Sequence, residues 1–260
     1  MKRWLSLVLA ALLVSAGPVQ AADKIKLGII GGSEELLWEK ARDIAARDGL
    51  DITLVVFSDY LMPNAALDVG DLDANAFQHK PFLDNQIKAR GYRIVPVADT
   101  IVTPIGLYSR RVKAPAELKP GASVGIPNDP SNGGRALLLL HTAKLITLKD
   151  GVGLLPTVLD IVDNPKALKI HELDAAQLPR SLDDLDAAVI NTNYAVEIGL
   201  IPGKDSIALE TATNNPYPNF IAVREKDRTA PWVSKLAKAF QNDTIRRLIK
   251  DKLPGQLPAF

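Results

Sequence analysis

Asn128-Asp129-Pro130-Ser131-Asn132-Gly133-Gly134-Arg135 gathers turn formers, two glycines and an arginine ahead of the apolar run at 136–140. Asn128-Asp129-Pro130 is turn chemistry, and Ser131 or Asn132 is placed to cap the helix that follows. Glycine lowers helix propensity, so Gly133 and Gly134 carry a cost that packing or close ligand approach would offset. Free N–H groups at a helix start favour an anion, and the Arg135 guanidinium is a planar fork matched to a carboxylate. The residues alone leave two readings level: an anion clamp, or a surface arginine paired with Asp129.

Three further polar segments have site-forming chemistry. Residues 73–79 (DANAFQH) put His79, whose neutral imidazole could donate to a ligand, beside an apolar slot made by Phe77 and Phe82. A core role for Phe77 and a capping role for Asn75 are equally compatible with the pattern. Residues 191–195 (NTNYA) follow the apolar strand pattern of 187–190, and loops beyond strand C-termini line the crevice of an open parallel sheet. Their amides carry both donors and an acceptor, although Asn191 or Thr192 could simply cap a helix. In 214–219 (NNPYPN) two prolines restrain the chain before a strand, and Asn219 is the amide aimed at a cleft or at a turn.

Signals for catalysis are missing. The chain has no cysteine, and 28–32 (GIIGG) lacks the order of a dinucleotide-binding loop. No serine sits in a nucleophile elbow, and the three histidines show no metal-ligand spacing. Polar loops without a nucleophile, metal or cofactor motif point to binding. A secreted enzyme working with carboxylates and a structural or chaperone-like module are the other classes.

Positioning these loops requires a scaffold, and 260 residues with 47% hydrophobic content suffice for one large domain or two small ones. Lys2 and Arg3 precede an apolar run at 4–14, and Val19-Gln20-Ala21 suits a signal peptidase. Residues 1–21 therefore read as a secretory signal peptide, too short in its apolar part for a bilayer span. Without Lys2 and Arg3, 29 basic residues face 30 acidic ones, which argues against a nucleic-acid partner. The absence of cysteine implies a soluble product without disulfides or a lipid-bearing cysteine.

Strand patterns at 24–30, 51–57, 92–97, 122–126, 167–172, 187–190 and 220–223 alternate with helical patterns at 34–47, 62–69, 81–89, 231–240 and 244–253. Ser33 is placed to cap the first helix. Such alternation implies a largely parallel sheet covered on both faces. The β-prone passage at 100–108 could carry the chain from one domain into another. The expected arrangement is a first α/β lobe from 22–103, a second from 104–215, and a return to the first over 216–260.

DANAFQH at 73–79, IPNDPSNGGRALLLL at 126–140, INTNYA at 190–195 and NPYPNFIAVR at 215–224 together resemble the NlpA lipoprotein family. The likeness extends from KIKLG at 24–28 to the last helix. It implies a two-lobed periplasmic binding protein, α/β in class, with a ligand cleft between its two domains. Such a protein would act without a cofactor, as a monomer, delivering methionine to an inner-membrane ABC permease. By matched motif, Arg135 resembles the carboxylate clamp, and Asn193 and Asn219 resemble the amides that orient the amino-acid backbone. Tyr60, Phe77, His79 and Phe82 resemble the pocket around the thioether. L-methionine is the expected ligand. D-methionine, a methionine-containing dipeptide or another apolar amino acid are the alternatives. The family's lipid-bearing cysteine is replaced here by Ala21-Ala22, which implies free diffusion in the periplasm.

Overall fold

The computed structural model describes residues 22–260, and the expected signal peptide lies outside them. Lys24 to Ile30 falls within β1 (Asp23–Ile30), whose Ile25, Leu27 and Ile29 enter the core from one face. α1 (Glu35–Arg47), β2 (Leu50–Phe57), α2 (Met62–Val69), β3 (Ala74–His79), α3 (Lys80–Arg90) and β4 (Ile94–Val102) follow. β1 pairs in parallel with both β2 and β3.

A second sheet begins with β5 (Gly106–Tyr108) and β6 (Ser123–Pro127), followed by α4 (Pro130–Thr142) and the small ribbon of β7 (Thr147–Leu148) and β8 (Ile161–Asp163). It continues through β9 (Lys169–Leu173), α5 (Leu178–Ser181), β10 (Ala187–Ile190), α6 (Thr192–Glu197) and β11 (Ser206–Leu209). Its strand order is β11-β5-β10-β6-β9. β12 (Pro218–Arg224) then enters the first sheet between β3 and β4, α7 (Pro231–Phe240) and α8 (Asp243–Lys252) pack beside it, and β13 (Leu257–Pro258) closes that sheet's edge along β4.

The sheets are mixed, not largely parallel. β12 arrives from the other sheet and runs antiparallel to both β3 and β4. β5 likewise runs antiparallel to β10 and β11. The chain crosses between the sheets at 103–105 and again at 210–217. The β-prone passage at 100–108 is accordingly two strands, interrupted at Pro104, which has no N–H to donate to a ladder.

Each sheet has its own core. On α1, Leu37, Trp38, Ala41 and Ala45 share the buried stripe, and the Trp38 ring meets Phe240 of α7 with centroids 4.4 Å apart. In the second, Leu137 and Leu140 of α4 pack with Leu107, Val124 and Val189.

Residues 74–79 differ from the polar inter-helix segment the sequence suggested. They form β3, a strand buried along its whole length. Its amides tolerate burial because they satisfy one another: Gln78 Nε2 donates to Asn64 Oδ1 at 2.7 Å, Asn64 Nδ2 to Gln78 Oε1 at 2.8 Å, and Asn75 Nδ2 to Asn64 Oδ1 at 2.9 Å. Asn75 is therefore part of a buried network and caps no helix.

Candidate functional site

The start of α4 is set by Asp129, not by Ser131 or Asn132. Asp129 Oδ1 accepts from the Asn132 N–H at 2.9 Å, and Pro130 takes the first helical position. Arg135 thus lies in the second turn, beyond the helix start. The two glycines serve packing. A Cβ on Gly133 would stand 2.7 Å from the Pro127 carbonyl oxygen, and one on Gly134 3.0 Å from the Leu154 backbone oxygen.

Arg135 is only 2% exposed. Its Nε donates to Glu210 Oε1 at 2.9 Å and Oε2 at 3.1 Å. Its Nη2 donates to the Thr103 carbonyl at 2.8 Å and to Glu210 Oε2. The guanidinium lies over the Tyr217 ring, 4.3 Å from its centroid. Among the described residues Nη1 has no hydrogen-bond partner. Thr103 belongs to one crossing between the sheets, and Glu210 and Tyr217 to the other, so one side chain grips both. Asp129, the alternative partner in the sequence reading, is instead held by Ser131 and Asn132.

The amides come from both lobes. Asn219 of β12 donates through Nδ2 to Glu34 Oε1 at 3.1 Å. Asn193 of α6 accepts at Oδ1 from the Tyr60 hydroxyl at 2.6 Å, a bond across the cleft. Asn191 donates through Nδ2 to Asn132 Oδ1 at 2.9 Å. Among the described residues, three buried polar atoms of this group have no partner: Glu34 Oε2, Asn191 Oδ1 and Asn193 Nδ2. Burial raises the Glu34 carboxyl to about 7, a rise only partly offset by the Asn219 hydrogen bond.

Beside these polar atoms stands an aromatic wall. The Tyr60 ring lies 6.0 Å from both Phe77 and Phe82, which are themselves 5.8 Å apart, and Tyr194 packs on Tyr60 at 5.0 Å. Asp59 positions Tyr60 by accepting the backbone N–H groups of Leu61 and Met62. His79 caps α3: its Nδ1 accepts from the Phe82 N–H at 3.3 Å, leaving Nε2–H to donate to Asn132 Oδ1 at 3.3 Å. Burial, reinforced by the positive charge of Arg135, lowers its pKa to about 3 and keeps the ring neutral. Both ring nitrogens are engaged, so His79 is a strut between the lobes, not a free donor.

All seven site residues expected from the sequence border one cleft. Glu34, Thr103, Asn132 and Asn191 border it too. Glu34 escaped notice because Ser33 and Glu34 suit a helix start. In fact Glu34 makes no side-chain cap and turns inward, while the Ser33 hydroxyl is buried without a partner. The position of Glu34 just past the C-terminal end of β1 was the available signal. Glu210 follows β11, a strand with no clear sequence pattern, and offered none. Among the described residues no cluster of His, Cys, Asp or Glu is arranged to hold a metal ion.

Two α/β lobes crossed twice by the chain, with a polar and aromatic cleft between them, define a solute-binding protein of the periplasmic type. The chain belongs to the NlpA lipoprotein family, whose model it matches over residues 25–260. It is 53% identical over 237 residues to the D-methionine-binding lipoprotein MetQ of Yersinia pestis, covering 90% of this chain and 87% of that protein. The MetQ lipoprotein of Escherichia coli K12, of the same name, is 55% identical over 224 residues, 85% of this chain and 82% of its own. Among solved structures, a nutrient-binding protein from Burkholderia cenocepacia bound to methionine superposes with a TM-score of 0.88 at 51% identity, covering 91% of this chain and all 100% of that one.

Proposed function

We propose that this protein captures methionine in the periplasm, between lobes formed by 22–103 with 216–260 and by 104–215, and presents it as a monomer to an ABC permease. The observation that carries this reading is the aromatic wall of Tyr60, Phe77 and Phe82 set beside unpartnered polar atoms in one cleft. A thioether favours aromatic neighbours. The ligand carboxylate would be bound by Arg135 Nη1 and Asn193 Nδ2, and Asn191 Oδ1 would accept from the ammonium group. Asn219 orients this polar end. Closure would remove these contacts from water, so each unmet hydrogen bond discriminates against a ligand lacking the matching group. The names of the similar MetQ proteins shift the weight to D-methionine, away from the L enantiomer expected from the sequence.

Calorimetric titration of D- and L-methionine into protein unfolded and refolded to release retained ligand tests the reading. Saturable one-site binding is expected, with D-methionine bound at least as tightly as L-methionine. Absence of binding by both enantiomers to correctly refolded protein overturns it.

A further inference from the structure

We propose that Glu34 is the counter-ion of the ligand's α-ammonium group and that it releases its proton to solvent when the ligand is captured. This rests on the amino-acid reading above and adds to it a charged subsite and a proton stoichiometry.

Glu34 stands between β1 and α1 and borders the cleft, only 8% exposed, with Oε1 held by Asn219 and Oε2 buried and unpartnered. A buried carboxyl oxygen without a donor is costly, and a carboxylate without a cation is costlier. The other groups around it leave that cation missing. Arg135 of α4 borders the same cleft but is committed to Glu210. His79, from the start of α3, is neutral, and Tyr60, from the segment after β2, is a phenol whose pKa burial raises further. Asn219 is the contact from β12. Glu35 follows on α1, and Glu197 of α6 reaches Gly31, so both nearby charged groups there are acidic. Burial without a nearby cation therefore holds Glu34 partly protonated near neutrality.

A zwitterionic ligand changes this balance. Its ammonium N–H donates to Glu34, the carboxyl O–H gives its proton to buffer, and a charge-assisted hydrogen bond replaces an orphaned oxygen. The ligand keeps both its charges, so one proton leaves for each protonated Glu34 that binds. The subsite also favours a free amine, so N-acylated and deaminated analogues bind more weakly than methionine.

Titration calorimetry of methionine in buffers of different ionisation enthalpy reads the proton directly. A carboxyl near 7 predicts release of about 0.9 proton at about pH 6, about 0.5 at about pH 7 and under about 0.1 at about pH 8.5. Affinity should weaken toward roughly tenfold per pH unit below 7. With Glu34→Gln, proton release should vanish, and methionine affinity at about pH 8 should fall about 30-fold or more. Methylthiobutanoate, which lacks only the amine, should lose less than about threefold by the same substitution. A wild-type protein that binds methionine with no buffer dependence at about pH 6 overturns the proposal and leaves the methionine reading standing. So does a Glu34→Gln protein that weakens both ligands equally. Failure of both enantiomers to bind removes the methionine reading and this proposal with it.

Discussion

Glu210 holds Arg135 from the second crossing between the lobes, with Arg135 Nε 2.9 Å from Glu210 Oε1, while Thr103 on the first crossing accepts from Nη2. Arg135 is thus a tie between the two connecting segments. Removing Glu210 leaves a buried guanidinium uncompensated, so Glu210→Ala should lower unfolding stability by about 3 kcal/mol. Denaturant unfolding measures this, and a change under about 0.5 kcal/mol would show that the pair is not maintained in solution. Arg135→Ala should weaken methionine binding by about 2–5 kcal/mol, read by calorimetry; unchanged affinity would remove Arg135 from the site.

The Tyr60 hydroxyl joins Asn193 across the cleft at 2.6 Å. Tyr60→Phe keeps the ring against Phe77 and Phe82 but leaves Asn193 Oδ1 without its donor. Methionine affinity should drop by about 1–2 kcal/mol, roughly five- to thirtyfold. An equal affinity for both proteins would mean that this bond does not help hold the closed cleft.

Gly32 packs against the Asn193 backbone of the other lobe. It has φ +105°, and a Cβ there would lie 2.8 Å from the Asn193 backbone oxygen. Gly32→Ala should impair closure and weaken methionine binding tenfold or more, about 1.4 kcal/mol. Gly49 also has a positive φ, +70°, but a Cβ there meets nothing within 4 Å. Gly49→Ala is therefore the control for backbone strain alone, and comparable binding losses in the two variants would refute the closure argument.

Two buried groups oppose each other in the pH dependence of the unliganded protein. Burial lowers His79 to about 3, below its unfolded value near 6.5. The unfolded chain then takes up the proton first, and stability is lost as pH falls from about 6.5. Glu34 is raised to about 7 from 4.5, so its contribution is full below 4.5 and is lost as pH rises toward 7. Each contributes a slope of about 1.4 kcal/mol per pH unit, with opposite sign. The pair should give nearly flat stability between about pH 4.5 and 6.5. Glu34→Gln should expose the His79 slope, with stability falling over that range as pH falls. Chemical unfolding at stepped pH checks this, and parallel curves for the two proteins would contradict the opposing titrations.

Local pattern carried far in this chain. Pro231 opens α7, and Val233, Leu236 and Phe240 repeat at helical spacing, so that helix was legible from 231 to 240 and forms over those residues. The strand at 187–190 was equally plain, being a short apolar run between polar segments. β3 was not legible. Its Asn75, Gln78 and His79 look like loop residues, and only their pairing with Asn64 and Asn132 makes burial tolerable. Arg135 was visible as a cation in a distinctive setting, but its partner was not, because nothing near it in sequence foretells Glu210.

By itself, the sequence determined the kind of protein: alternating apolar runs, turn signals and four ordered motifs suffice for the α/β class, the family and the segments that meet at a cleft. The tertiary structure alone decided the electrostatic state of that cleft. Asn219 reaches Glu34 across 185 residues, and Arg135 reaches Glu210 across 75. Secondary-structure periodicity follows from local backbone geometry, whereas a buried polar group's partner is settled by competition among all groups the fold brings within about 3 Å. That competition leaves Glu34, Asn191 and Asn193, which all border the cleft, each with one buried atom unsatisfied among the described residues.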